Sequence, residues 1–232
     1  MFLGHYGVAL ALKRAEPKLS LGTLFLAVQL PDVLWGIFLL LGWEHARIVP
    51  GHTAMTSLEF LNYPISHSLV GTLAWSFVAA ALYYSWPTRD TSRHWQAAAV
   101  VGLAVFSHYP LDVLVHIADL PLTGSGSARL GLGLWNSPLA TLAAEALVFG
   151  GGLAMYLARG SNRHPVRVPR VLILVLVLVG TYIASTYGPL PPDMTVVAVS
   201  DIIFMVAMAV LAGWADRRAS PEELAARGLS HK

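Results

Sequence analysis

Eight ionisable side chains lie in stretches apolar enough to sit inside a membrane: His5, Asp32, His67, His108, Asp112, His116, Glu145 and Asp201. Ionisable groups are costly there, so each needs a partner or a task. The sharpest group is Ser107-His108-Tyr109-Pro110-Leu111-Asp112-Val113-Leu114-Val115-His116. Its His, Asp and His recur every four residues, which places all three on one stripe of a helix. Two imidazoles and a carboxylate on one rigid element make a metal grip. The bland alternative is a set of polar groups lining a packed interior, and three ligand-type residues on one stripe favour the metal. Pro110 should kink that helix.

The other candidates are weaker alone. Leu30-Pro31-Asp32 reads as a Pro-kinked helix with a protonated, hydrogen-bonded Asp. In Ile65-Ser66-His67-Ser68, Ser66 reads as an N-cap and His67 as an interfacial residue. Gly4-His5 would be unremarkable by itself. Glu145 and Asp201 suit an extra ligand, an orienter of a His or a general base; equally, each suits a neutral acid bonded inside the bundle.

The elements that must carry these residues are membrane helices. Of 232 residues, 56% are hydrophobic and 12% charged, against roughly 25% charged in a soluble domain. Six apolar stretches, near 21–42, 66–86, 95–117, 137–158, 170–187 and 195–214, approach the ~20 residues a span requires. The fold class is therefore an all-α polytopic membrane bundle of about six spans. Residues 1–214 form one integral-membrane domain and 215–232 a tail. The stretch around Leu172–Val179 is apolar on every side and should face lipid. Residues 1–12 are too short to span and lack a signal peptide's basic lead and cleavage site; they read as a short helix inserted part-way and retained. Thirteen of the fifteen Lys and Arg fall on one set of flanks, which makes that side, with the C-terminus, cytoplasmic in a cell or inner membrane.

With zero cysteines, disulfides, iron–sulfur clusters and thiolate chemistry are excluded. A net charge of +2 with scattered basic residues gives no footing to nucleic acid. At 1.5 Å per residue, His67 and His116 fall about 2 Å deep from the outer face, and Asp112 and Asp201 about 8 to 9 Å. Glu145 falls near ~12 Å, His108 and Asp32 near ~15 Å and His5 near ~18 Å. That pattern predicts one polar pocket in the outer half of the bundle, with His5 and His67 the hardest pair to bring together.

The series Gly-His, Pro-Asp, His-Ser and Ser-His-x3-Asp over roughly residues 1–160 resembles the LexA-regulated membrane-bound metal-dependent hydrolases of the YdjM type. That family is distantly similar to the zinc-dependent phospholipase C and P1 nuclease group, which is all-α. The resemblance implies metal ligands at His5, Asp32, His67, His108 and Asp112. With His116 added, Asp112 would bridge, His67, His108 and Asp32 would hold a first ion, and His5 and His116 a second. It implies one to three divalent ions, most readily Zn, with Mn, Fe or Ni also suited to N/O ligands. Asp112 and Glu145 become the expected catalytic residues, and an amphiphilic phosphoester the expected substrate. Family members often carry a His-Arg-Gly-x-Thr-His run before the second helix. Here that place reads Tyr63-Pro64-Ile65-Ser66-His67-Ser68.

Two other classes stay open. Intramembrane His and Asp also build proton or metal-ion transporters, although no paired halves are visible. A non-catalytic scaffold with a structural metal is the third. The Gly124–Gly133 loop reads as a connector or, with Arg129, as a lid offering a phosphate contact. His45, His52, Glu44 and Glu59 read as solvated loop residues or peripheral metal contacts. A Ser66, His67 and Asp32 triad lacks a nucleophile elbow. The oligomeric state is not encoded in any of these features.

Overall fold

The computed structural model describes residues 1–87, 94–158 and 166–217. Arg89, Arg93, Arg159, Arg163, Arg218, Arg227, Lys232, His164 and His231, with most of the 215–232 tail, lie outside the described residues. Among the described residues the chain forms ten α-helices and two small antiparallel hairpins. In order they are α1 (Leu3–Ala15), α2 (Leu21–Val28), α3 (Leu30–Leu40), the hairpin β1 (His45–Ile48) and β2 (Leu58–Asn62), α4 (Pro64–His67) and α5 (Leu69–Ser85). There follow α6 (His94–Phe106), α7 (His108–Val115), the pair β3 (Leu120–Pro121) and β4 (Arg129–Leu130), α8 (Pro138–Ala158), α9 (Val168–Tyr187) and α10 (Met194–Ala215).

Three backbone breaks shape the middle of the bundle. Pro31 has no N–H, and its ring crowds the carbonyl of Ala27. The run expected as one span over 21–42 therefore breaks at Gln29, and α2 and α3 meet at a 53° bend. Pro110 acts the same way on Phe106, where α6 ends; α7 restarts at His108 with Pro110 in its first turn. The helix is interrupted at Ser107, just upstream of Pro110, within a stretch that still makes a single span. At the third break Ser68 turns extended (ψ 157°) and caps α5 by accepting the Gly71 N–H at 2.9 Å. Ser68, not Ser66, is the cap, which leaves Ser66 free for another task.

Four helical stretches are long and apolar enough to cross a membrane: His94–Val115, Pro138–Ala158, Val168–Tyr187 and Met194–Ala215. The bent α2–α3 pair makes a fifth if counted as one span. The expected stretch 66–86 appears as the 17-residue α5 preceded by the four-residue α4. Four such helices mark a membrane protein. Their outward faces are apolar: Leu172, Leu176, Ile203 and Val210 are all more than half exposed. The expected lipid-facing run on α9 does face outward at Leu172, Ile173, Leu176 and Val177, while Leu174 and Leu178 pack inward.

At the centre lies α2, whose Leu21, Leu24, Phe25 and Val28 are fully buried. Helix α1 packs between α2 and α8 and carries His5 into the interior. The α1–α8 approach depends on glycine. A Cβ on Gly152 would stand 1.9 Å from the Gly7 carbonyl oxygen, whereas one on Gly151 would meet open space. Gly152→Ala must therefore push α1 off α8, and overpacking of this kind costs about 1–3 kcal/mol. In a detergent thermal melt, Gly152→Ala should lower Tm by several degrees, at roughly 2–4 °C per kcal/mol, while Gly151→Ala should leave it within about a degree.

Candidate metal centre

Asp112 is the hub of the site. Its Oδ1 is 3.1 Å from His5 Nε2 and is also bonded by the Met1 amine. Its Oδ2 is 2.9 Å from His108 Nε2 and 3.9 Å from both His67 Nε2 and His116 Nε2. Asp32 joins from the start of α3, with Oδ1 3.1 Å from His67 Nε2 and 3.5 Å from His108 Nε2. All six residues expected as metal ligands thus meet in one place. Four of them, Asp32, His67, His108 and His116, stand beside a helix break or end, where the backbone can turn side chains inward.

Three of the four imidazoles are oriented from behind. His108 Nδ1–H donates to the Val28 carbonyl at 2.8 Å, an oxygen freed by the Pro31 break. His116 Nδ1–H donates to Asp119 Oδ1 at 3.0 Å, with the Tyr63 hydroxyl alongside. Behind His67 the chain is longer: Ser66 donates its hydroxyl proton to Glu44 Oε2 at 2.5 Å, so its oxygen accepts His67 Nδ1–H at 2.7 Å. With Nδ1 protonated, each neutral ring aims an Nε2 lone pair at the centre. His108 Nε2 then faces a carboxylate oxygen 2.9 Å away, lone pair to lone pair, and it finds no hydrogen-bond partner among the described residues. A cation between them, proton or metal, turns that repulsion into attraction.

The spacing suits a metal. Four donors at about 2.0–2.2 Å from one tetrahedral ion stand about 3.3–3.6 Å apart. The contacts of His67 and His108 with Asp32 and Asp112 run from 2.9 to 3.9 Å. Two groupings of three donors, His5 with Asp32 and His108, and His67 with His108 and Asp112, have all their ligand atoms within 4.8 Å of one another. The buried His/Asp cluster can therefore hold a metal ion. His5 stacks flat on His108 at 3.9 Å between centroids, and its Nδ1 has no partner among the described residues.

Glu145 touches the cluster only indirectly. Its two oxygens accept the N–H groups of Phe2 and Gly4 at 2.7 and 2.6 Å. It satisfies the orphan donors at the start of α1 and so holds His5 in place. Asp201, on α10, lines the same cavity. That cavity, about 470 Å³, is lined on one side by Asp32, His67, Asp112 and His116. Arg129 is not among its lining residues; it donates to the Leu61 carbonyl at 3.3 Å.

Sequence reading missed the supports. Glu44 looked like a solvated loop residue, yet it is 1% exposed and accepts from Ile65 N, Ser66 N and the Ser66 hydroxyl. No local signal marks it, because its partners lie some twenty residues on. Asp119 was findable from its three-residue spacing to His116. Of the remaining loop residues, Glu59 pairs with Arg47, which holds its carboxyl below the usual range; His45 begins β1, and His52 Nε2 is buried without a partner among the described residues.

No model of a known protein family, no curated protein and no solved structure matches this chain.

Glu44 provides the test of this framework. Glu44→Ala strands two backbone N–H groups and the Ser66 hydroxyl, at about 1–3 kcal/mol for each buried donor left unpaired. A thermal melt should show a marked drop in stability for Glu44→Ala, and almost none for Glu59→Ala, whose ion pair is on the surface.

Proposed function

We propose that this protein is a membrane-embedded, metal-dependent hydrolase of phosphoesters, acting on an amphiphilic substrate in the outer half of a cell membrane. The observation that carries the reading is a buried cluster of four imidazoles and two carboxylates that opens on a cavity through Asp32, whose side chain remains 24% exposed. A purely structural metal site is closed by its ligands, whereas a catalytic one keeps a side open. In our reading the resident ion is zinc, one to three per chain, with Mn, Fe or Ni able to substitute on N/O donors. Asp32, His67 and His108 would hold one ion, His5 and His116 would complete a second position, and Asp112 would serve both.

A divalent cation there supplies Lewis acidity to a water and to a phosphoryl oxygen. The chain's own residues do the rest. Val28, Asp119 and the Ser66–Glu44 pair fix which imidazole nitrogen faces the cavity. Glu145 anchors α1 and with it His5. The walls exclude bulk water: Phe2 stacks on Tyr182 and Phe204 at 5.6 Å each, closing the gap between α1, α9 and α10 with aromatic faces. An apolar wall beside a polar cluster suits a substrate with a phosphate head and a hydrocarbon tail. The likeness to the YdjM-type hydrolases points the same way. In this account α2–α3 and α5 complete a six-span bundle whose C-terminus is cytoplasmic, and the cavity opens on the opposite side.

The test is metal content by mass spectrometry on detergent-purified protein, alongside hydrolysis of a chromogenic phosphoester. Wild type should carry about one to three equivalents of zinc or a similar ion and hydrolyse the ester. A His108→Ala/Asp112→Ala variant should lose both together. Folded wild type that takes up no metal when supplied with it, or a variant that keeps its metal, contradicts the reading.

A further inference from the structure

Two unlike sets of side chains line the cavity. One is the His/Asp cluster. The other is on α10, which presents Val197, Ser200, Asp201, Phe204 and Met205 along one face, at the three- and four-residue spacing of a helix stripe. Asp201 makes no hydrogen bond or ion pair with any described residue. Ser200 on α10 and Ser185 at the end of α9 line the cavity too. Each spends its hydroxyl proton on a helix carbonyl, Val197 and Tyr182 respectively, both at 3.0 Å. What they turn to the cavity is therefore lone pairs. This wall offers acceptors: a carboxylate and two serine oxygens. Among the described residues no Lys or Arg lines the cavity, so no basic side chain there faces Asp201.

We propose that Asp201, with Ser200 and Ser185, forms a headgroup subsite for a primary ammonium, so that the cavity takes an aminoalkyl phosphoester with its phosphate at the cluster and its –NH₃⁺ on α10. The proposal rests on the metal-dependent reading above and names the substrate class that reading leaves open. Once the cluster holds divalent cations, it attracts anions while Asp201 attracts cations. A dipolar headgroup satisfies both at once. A primary ammonium brings three N–H donors to three acceptors, whereas a trimethylammonium group brings none. A free hydroxyl would satisfy one acceptor and leave the carboxylate's charge unpaired.

The test is a binding titration on the metal-loaded, detergent-solubilised full chain, read by tryptophan fluorescence, because Trp35 and Trp135 line the cavity. The probes are inorganic phosphate, phosphorylethanolamine and phosphorylcholine. A charge-assisted hydrogen bond should give phosphorylethanolamine a gain of about tenfold or more over phosphate. Phosphorylcholine should not share it. Asp201→Asn should abolish the gain and leave inorganic phosphate binding unchanged, which also reports that the variant is folded. Equal binding of all three probes, an equal gain for phosphorylcholine, or a gain that survives in Asp201→Asn overturns the subsite while the metal reading stands. Failure of metal-loaded wild type to bind inorganic phosphate removes both.

Discussion

A carboxylate buried in an apolar bundle must be surrounded by positive or hydrogen-donating groups, and most of this structure follows from meeting that need at Asp112. Burying an unpaired carboxylate is far more costly than any single packing contact can offset. Here it is ringed by His5, His67, His108 and His116, with the Met1 amine sharing its Oδ1 with His5. Those imidazoles come from three separate places in the chain: α1, α4 and the two ends of α7. Bringing them together requires α1 to press against α8 at Gly152, α7 to end at His116 and α4 to deliver His67. Three of the rings have their other nitrogen tied down, which draws Val28, Ser66, Glu44 and Asp119 into the buried core. The result is a polar interior in two layers: lone pairs of imidazoles and carboxylates that face the centre, where a cation binds them together, and acceptors behind that fix the direction in which the rings face.

The broken helices belong to the same economy. A continuous span has no free backbone group to give, and irregular backbone inside a membrane is tolerated only where it is buried in protein or lines a cavity. The breaks at Gln29, Ser107 and Ser68 all adjoin the cluster. The first of them turns a defect into a part: α2 ends at Val28, and the carbonyl left open there orients His108. Glu145 does the reverse. It closes an open helix end, and in doing so sets the height of His5 in the bundle.

Much of this was legible in the residues. Hydropathy gave the membrane class, and the four-residue spacing of His108, Asp112 and His116 gave the centre of the site. Pro31-Asp32 and Gly4-His5 added ligands that looked ordinary in isolation. What the sequence could not supply was geometry between elements. Depth counted along straight helices set His5 and His67 about 16 Å apart. The structure joins them because His67 lies on a short turn outside α5, so its depth was counted along a helix it does not occupy. Ser66 was mistaken for a cap because Ser68, two residues on, is chemically identical. Glu44 was invisible because a buried loop carboxylate and a solvated one share the same letter. The span count differs for a related reason: hydropathy windows average over Gln29 and Ser68, where the backbone does not continue as helix.

What lies between the imidazoles and Asp112 decides the chemistry of the site. X-ray absorption at the metal edge, on protein reconstituted with zinc, addresses it directly. The account predicts a shell of nitrogen and oxygen only, at about 2.0–2.2 Å, with the outer scattering of several imidazole rings. A spectrum without imidazole scattering, or protein that holds no zinc at the edge, would mean that protons alone hold the cluster together, and that its chemistry is not a metal's.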